Sequence, residues 1–271
     1  MSLTLGGSAN QRSLAYLSAT KSKMDKSLER IASGKKLLSV ADDPGGLAVA
    51  MKLRNQITTN DAELSAVENA KSYVESQSTA LQTTSSIVGE MRTLKYNWDA
   101  TGDTNLQASY QRQFEDLQGQ LNSIKGETLN GRKLFDRGAS ESQIVVSNVA
   151  LNDLGLDTAL QNGGQDITDS SIDLSNVTEE NLEAIEGNVS ALTAEAAGDA
   201  STLGFASDYL TNMSTNLETA HGRIMDVDLA EETSNYATLS MQYEAAAAAV
   251  AQANVNSAKV LDLLLSSINR D

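Results

Sequence analysis

The chain is 271 residues long, enough for one or two domains, yet aromatics make up only 4%, with one Pro and no Cys. The missing Cys excludes disulfides and thiolate metal sites, and a net charge of −16 argues against nucleic acid as a partner. No segment approaches the ~20 apolar residues of a membrane span, and Met1-Ser2-Leu3 does not open a basic-then-apolar signal peptide.

Few Pro and many helix formers favour long helices, and few aromatics favour thin interfaces of small side chains. The first helix is expected from near Ser8 to Ser33, with Leu14, Leu17, Lys21, Met24, Leu28 and Ile31 at coiled-coil spacing. Lys21 is the polar member, there to fix register or to lay its stem along the seam. Gly34 is a natural stop, and residues 34–43 read as a connector. Asp42 or Asp43 then caps a second helix with Pro44 in its first turn, where a missing N–H costs nothing. That helix is expected to reach about Trp98, a rod of about 80 Å. Its heptad frame holds Leu64, Val67, Lys71, Val74, Ser78, Leu81, Ser85 and Val88.

Gly102-Asp103 marks a turn before a third helix with Leu106, Tyr110, Phe114, Leu117, Leu121 and Ile124 inward. Asn130-Gly131 ends that pattern, and Leu134-Phe135 with Ile144–Val146 are expected to pair as a small hairpin across Asp136–Gln143. Residues 150–178, rich in Asp, Asn, Gly and Ser, read as a loop. A fourth helix is expected from about Glu179 to Ala220, with Gly187 and Gly198 as candidate breaks. The last, over 227–268, carries Tyr236, Leu239, Tyr243, Ala246, Val250, Ala253, Ser257, Val260 and Leu264 at heptad spacing, with Ala permitting close approach.

The expected fold is mainly α: a long antiparallel helical coiled-coil bundle with a small β-hairpin and paired N- and C-terminal helices. Residues 1–42 and 223–271 are expected to form two halves of one domain. Residues 43–222 form a helical rod with the hairpin near 131–147 and a short variable loop at 150–178. Charge is uneven: residues 1–60 carry a net +5 and 221–271 a net −4. This reads either as attraction between the two arms or as one solvated face on each helix. The seams bury little against the entropy of ordering some twenty-five residues per arm, so both arms are expected to order only in an assembly.

Catalytic chemistry has little to stand on. His221 is the single His, flanked by Ala220 and Gly222, and the chain has neither a GxSxG nor an HExxH segment. Asp42-Asp43 reads as a helix cap rather than a metal or acid pair, because Pro44 and an amphipathic helix follow. Gly45-Gly46 lacks the Gly-Lys-Ser/Thr ending of a phosphate loop. No cofactor, metal or enzymatic activity is expected, and the helical seams read as core packing.

Four segments, in order and at both ends, resemble bacterial flagellin. Leu28–Lys36 resembles the family's "ERLSSG-basic" segment, and Asp42–Ala50 its "DDAAGLAI" segment. Arg223–Glu232 resembles "SRIxDxDxAxE", and Ala251–Asn254 with Val260–Leu264 resembles "AQAN…vLxLL". Two departures stand out: Gly222 replaces the leading Ser, and the usual "LGAxxNR" reads Leu203-Gly204-Phe205-Ala206-Ser207-Asp208-Tyr209.

The resemblance, over roughly residues 1–135 and 180–271, implies a secreted extracellular subunit. It is exported unfolded, polymerises with itself, and serves motility. Paired terminal helices form the inner filament core, and the short middle implies a minimal form without large outer domains. It also implies an export chaperone, at about Leu261–Leu265, and cap or junction proteins as partners. The alternatives are the flagellar hook–filament junction protein, which the Asp-Asp-Pro sequence also fits, and a coiled-coil adaptor. The residues expected to carry polymerisation are Leu14, Leu17, Met24, Leu28, Ile31, Val250, Val260 and Leu264 in the seams, with Arg30, Gly34, Asp42 and Asp43 in the connector.

The family segment recognised by the vertebrate toll-like flagellin receptor resembles "QRVREL"; here the matching Ser86–Met91 puts Ile87 and Gly89 where that segment has Arg. Weak receptor activation is the expected outcome, and ordinary potency in a reporter-cell assay would contradict it.

Overall fold

The computed structural model describes residues 3–136, 145–146, 149–151 and 153–268, with side chains described from residue 11 and through 260 except 257. Helices dominate: α1 (Leu3–Ser33), α2 (Pro44–Ala100), α3 (Thr104–Lys125), the one-turn α4 (Leu156–Ala159), α5 (Glu179–Met225) and α6 (Leu229–Ile268). Strands form two-residue antiparallel pairs: β1 (Thr128–Leu129) with β2 (Arg132–Lys133), β3 (Val145–Val146) with β4 (Val149–Ala150), and β5 (Gln161–Asn162) with β6 (Gln165–Asp166). The chain divides into two compact units, Met1–Ile57 with Asn216–Asp271, and Thr58–Thr215.

The second unit has a continuous apolar core. Val67, Val74, Leu81, Val88 and Met91 of α2, Phe114 and Leu121 of α3, and Leu182, Ile185, Val189 and Leu203 of α5 are fully buried. The heptad frame expected in α2 faces this core except at Lys71, which is exposed. A second row, Ala70, Tyr73, Gln77, Ala80, Thr84 and Ile87, is buried as well, so α2 is covered on more than one side. Of the inward set expected in α3, Leu106 is exposed, Tyr110 and Ile124 are half-buried, and Phe114, Leu117 and Leu121 are buried. Ile87, in the segment that resembles the receptor epitope, is buried in this core. Asn60 Nδ2 donates to Leu210 O at 2.8 Å and Ser214 Oγ to Asp61 Oδ1 at 3.2 Å, tying α2 to α5. Neither Gly187 nor Gly198 breaks α5, which runs past Ala220 to Met225.

The strand pairing differs from the expected hairpin. Asn130 and Gly131 have φ of 53° and 79°, the left-handed pair that a two-residue hairpin turn requires, so β1 and β2 close around them. Leu134 and Phe135 then leave the strand and enter the core, where Gln77 Nε2 donates to Leu134 O at 2.5 Å. Val145 and Val146 pair with Ala150 and Val149. Gln143 and Ile144 lie outside the described residues.

The segment expected to be a variable loop at 150–178 is packed. Leu151, Leu154, Leu156, Leu160, Ile167, Leu174 and Val177 are buried in the same core. Its polar residues close turns: Asp169 Oδ1 accepts from Ser171 N at 2.8 Å, and Asp173 Oδ1 from Ser175 N at 2.9 Å. The Ser171 amide holds the Asp169 carboxyl, and the Ser175 hydroxyl followed by its amide the Asp173 carboxyl, below the usual carboxylate range. A polar row on α3 satisfies the backbone: Gln111 Oε1 accepts from Leu174 N (2.9 Å), while Gln118 Nε2 donates to Ile172 O (2.9 Å) and Asn122 Nδ2 to Thr168 O (2.8 Å). Composition gave this stretch a loop's signature because its apolar residues follow neither helical nor strand periodicity.

Candidate functional site

In the first unit α1 packs along α6. On α6 the covered positions include Glu232, Tyr236, Leu239, Tyr243, Ala246, Val250 and Ala253, at alternating spacings of four and three, with Ser240 and Ala247 beside them. From Tyr236 to Ala253 this is the seam expected from sequence. On α1 the covered set is Ser13, Leu17, Thr20, Met24, Ser27 and Ile31, with Arg30 beside the last. Leu17, Met24 and Ile31 were expected there, but the positions between them are small and polar, and one of them, Ser27, donates its hydroxyl to Glu232 O of α6 at 3.5 Å. Leu14 and Leu28 lie off this seam, 51% and 50% exposed, and Lys21 is exposed as well. Val260 is exposed on α6, and the side chain of Leu264 lies outside the described residues, as do those of Leu261–Leu265 and Ser257.

The connector closes one end of this pairing. Gly34 takes φ +69°, donates to Arg30 O at 2.9 Å and accepts from Val227 N at 3.0 Å. Lys36 N donates to Met225 O at 2.6 Å, so Lys35 and Asp226 form an antiparallel bridge. Beneath it Leu37, Ala50 and Met225 are buried against Leu47 and Ile224. A Cβ on Gly222 would lie 2.7 Å from Asp226 Oδ2, so a larger residue there would displace that carboxylate.

The two adjacent aspartates divide the labour. Asp43 caps α2, its Oδ1 accepting from Gly46 N at 2.9 Å. A Cβ on Gly46 would lie 2.3 Å from Asp43 Oδ2 and 3.3 Å from Leu37 Cδ1, so only Gly fits under the cap. Asp42 instead folds the connector: its side chain, 3% exposed, pairs with Lys26 and accepts from Leu38 N and Ser39 N, each at 3.1 Å. The Lys26 bond, then the Leu38 and Ser39 amides, hold its pKa at about 2 against an ordinary 3.8.

A folded-state pKa below the unfolded value stabilises above pH about 4 and loses that contribution as pH falls toward about 2. The melting temperature of Asp42→Asn should therefore lie below wild type at neutral pH, and the two should converge by about pH 2. A gap that persists unchanged at pH 2 would show that the charge of Asp42 is not responsible.

Two residues of this site were missed in the sequence. Glu232 is buried, with Oε2 3.9 Å from Arg30 Nη1, and joins the basic front arm to the acidic rear arm. Asp228 caps α6 through Ala230 N at 2.9 Å and Glu231 N at 3.2 Å. An Asp-x-x-Glu cap pattern at Asp228–Glu231 was available as a signal. The site is built of backbone pairing, caps and two ion pairs, an arrangement suited to fixing how two helices meet rather than to bond chemistry.

Comparison with known proteins gives the same picture over both ends. Residues 7–140 match the bacterial flagellin N-terminal helical region and residues 182–264 the bacterial flagellin C-terminal helical region. A flagellin of Halalkalibacterium halodurans is 31% identical over 258 residues, covering 88% of this chain and 91% of that one. A flagellin of Bacillus subtilis is 26% identical, covering 93% and 96%. The flagellar filament 30.7 kDa core protein of Treponema maltophilum is 23% identical, covering 88% and 90%.

Proposed function

The chain belongs to the bacterial flagellin family, and from that premise we propose how its parts serve a filament. It is a structural filament subunit, not an enzyme, and among its described residues no helix is long and apolar enough to cross a membrane. Residues 1–42 and 223–271 are the two halves of the inner filament-core domain, and 43–222 the surrounding helical domain. The subunit is exported unfolded, acts outside the cell, and orders its terminal helices on assembly.

The observation that carries this reading is the incomplete seam. The α1·α6 pair covers Leu17, Met24, Ile31 and Val250 yet leaves Leu14, Leu28 and Val260 about half exposed, which supports these last three as contacts to neighbouring copies. Arg30, Gly34, Asp42 and Asp43 set the geometry of the connector between the two helices they join. Leu264 and its neighbours at 261–265 serve the export chaperone, and cap or junction proteins meet the assembled ends.

Seeded growth followed by electron microscopy tests the reading. Long filaments growing from folded monomer are expected; a defined small oligomer at all concentrations would indicate a coiled-coil adaptor instead. The full-length likeness to flagellins disfavours the junction-protein alternative. Deleting the gene should leave no filament in a strain without paralogues, whereas release of long filaments would restore that alternative.

A further inference from the structure

We propose that Asn130 is a covalent modification site: in the folded chain it loses its side-chain amide to attack by Gly131 N, whereas the second Asn-Gly step, Asn162-Gly163, is held back by its hydrogen bonds. An Asn-Gly step obstructs this reaction least, because Gly has no Cβ beside the attacking nitrogen. The two steps sit differently in the fold. Asn130 and Gly131 are the central residues of the β1–β2 turn, with φ of 53° and 79°, and both are exposed. Leu129 pairs with Arg132 around them, so Gly131 N has no ladder partner. A Cβ on Gly131 would meet nothing within 4 Å, which leaves room for a ring on that side. Among the described residues, no hydrogen bond holds the Asn130 carboxamide. Asn162 is half-buried, lies in β5 rather than in its turn, and pairs with Gln165. Its Nδ2 donates to Asn181 Oδ1 at 3.2 Å, and Asn181 Nδ2 donates to Gln165 Oε1 at 2.7 Å. Attack by Gly163 N requires the Asn162 carboxamide to leave that chain of amides.

The reaction needs only solvent water. Gly131 N gives up its proton and bonds to Asn130 Cγ, the carboxamide C–N bond breaks, and ammonia leaves with that proton. The product is a cyclic imide, which water opens at either carbonyl. Opening at Cγ leaves aspartate at position 130, and opening at the main-chain carbonyl leaves isoaspartate. Aspartate tolerates the left-handed backbone as Asn does, so that product keeps the turn. Isoaspartate inserts a methylene into the main chain within a two-residue turn, and the pairs Leu129–Arg132 and Thr128–Lys133 no longer close on it. Just beyond, β2 hands Leu134 and Phe135 to the core, where Tyr73 Oη donates to Leu134 O at 3.1 Å and Gln77 Nε2 to the same oxygen. Isoaspartate at this turn therefore loosens the hairpin where it anchors to the second unit.

To test this, the folded full chain is aged at mildly alkaline pH in water enriched in heavy oxygen, digested in ordinary water, and read by mass spectrometry. Heavy oxygen at position 130 reports opening of the imide. Asn130 is expected to convert about tenfold faster than Asn162, the margin that hydrogen bonds on the Asn162 carboxamide provide. Asn181→Ala should raise the rate at Asn162 about fivefold and leave Asn130 unchanged. Equal rates at the two steps overturn the proposal, as does an Asn130 that stays unmodified, or an Asn162 that Asn181→Ala does not release. For the consequence, Asn130→Asp is expected to melt with the fresh wild-type chain, while an aged fraction enriched in isoaspartate melts at lower temperature. An isoaspartate fraction that melts like the fresh chain overturns the loosening of the hairpin. None of these readouts depends on polymerisation, so they succeed or fail apart from the filament reading.

Discussion

Gly34→Val is expected to abolish filament growth at subunit concentrations where wild type polymerises, while residues 58–215 keep their fold. The cause is backbone conformation rather than space, since a Cβ on Gly34 would meet nothing within 4 Å. Its φ of +69° is left-handed, a region that costs an L-residue roughly 1–2 kcal/mol and a β-branched one more. The N–H and C=O of Gly34 hold Arg30 and Val227, and its geometry aims Lys36 N at Met225 O. Relaxing φ to a negative value releases all three bonds at the point where the chain turns from α1 toward α2. A polymer repeats this defect in every subunit, whereas the monomer carries it once and away from its main core. Gly34→Asn should be milder, because Asn tolerates the left-handed region. Pelleting assays give the critical concentration and circular dichroism gives the melt. Normal filament growth by the Val variant would show that the connector does not control assembly.

How far the sequence revealed this site depends on what each residue faces. The rear seam could be read because Tyr236, Leu239, Tyr243 and Val250 are large, periodic and covered within one chain. The front seam was half legible. Apolar spacing selects Leu14 and Leu28, but the positions facing α6 are Thr20 and Ser27. Periodicity reports which side of a helix is apolar, and it cannot say whether that side meets the same chain or another. The aspartates were legible as a cap, but dividing the work between Asp42 and Asp43 needed the fold, because the Lys26 partner is sixteen residues away. Residues 150–178 were misjudged for a related reason: their backbone at Leu174, Ile172 and Thr168 is held by Gln111, Gln118 and Asn122 of α3, a tertiary relation that leaves no local pattern.

The larger effect should appear in hydrogen exchange. In dilute monomer, amides of residues 8–33 and of α6 are expected to exchange orders of magnitude faster than those around Leu81 and Phe114, and to become protected in filaments. In the second unit, many of the residues fully withdrawn from water are large and apolar: Val74, Leu81, Met91, Phe114 and Leu121 among them. In the described part of α1 the buried residues are Thr20 and Ser27, which contribute little hydrophobic free energy. Half-exposed Leu14 and Leu28 each forgo about 1 kcal/mol of the roughly 1.5–3 that full burial would give. Ordering the backbone still costs roughly 1–2 kcal/mol per residue. An arm so sparsely buried is expected to draw the missing stabilisation from neighbouring copies, which would couple its folding to polymerisation and leave its apolar face uncommitted during export. Arm amides in the monomer as protected as those at Leu81 would break that coupling: the arms would then be folded before assembly, and export would have to unfold them.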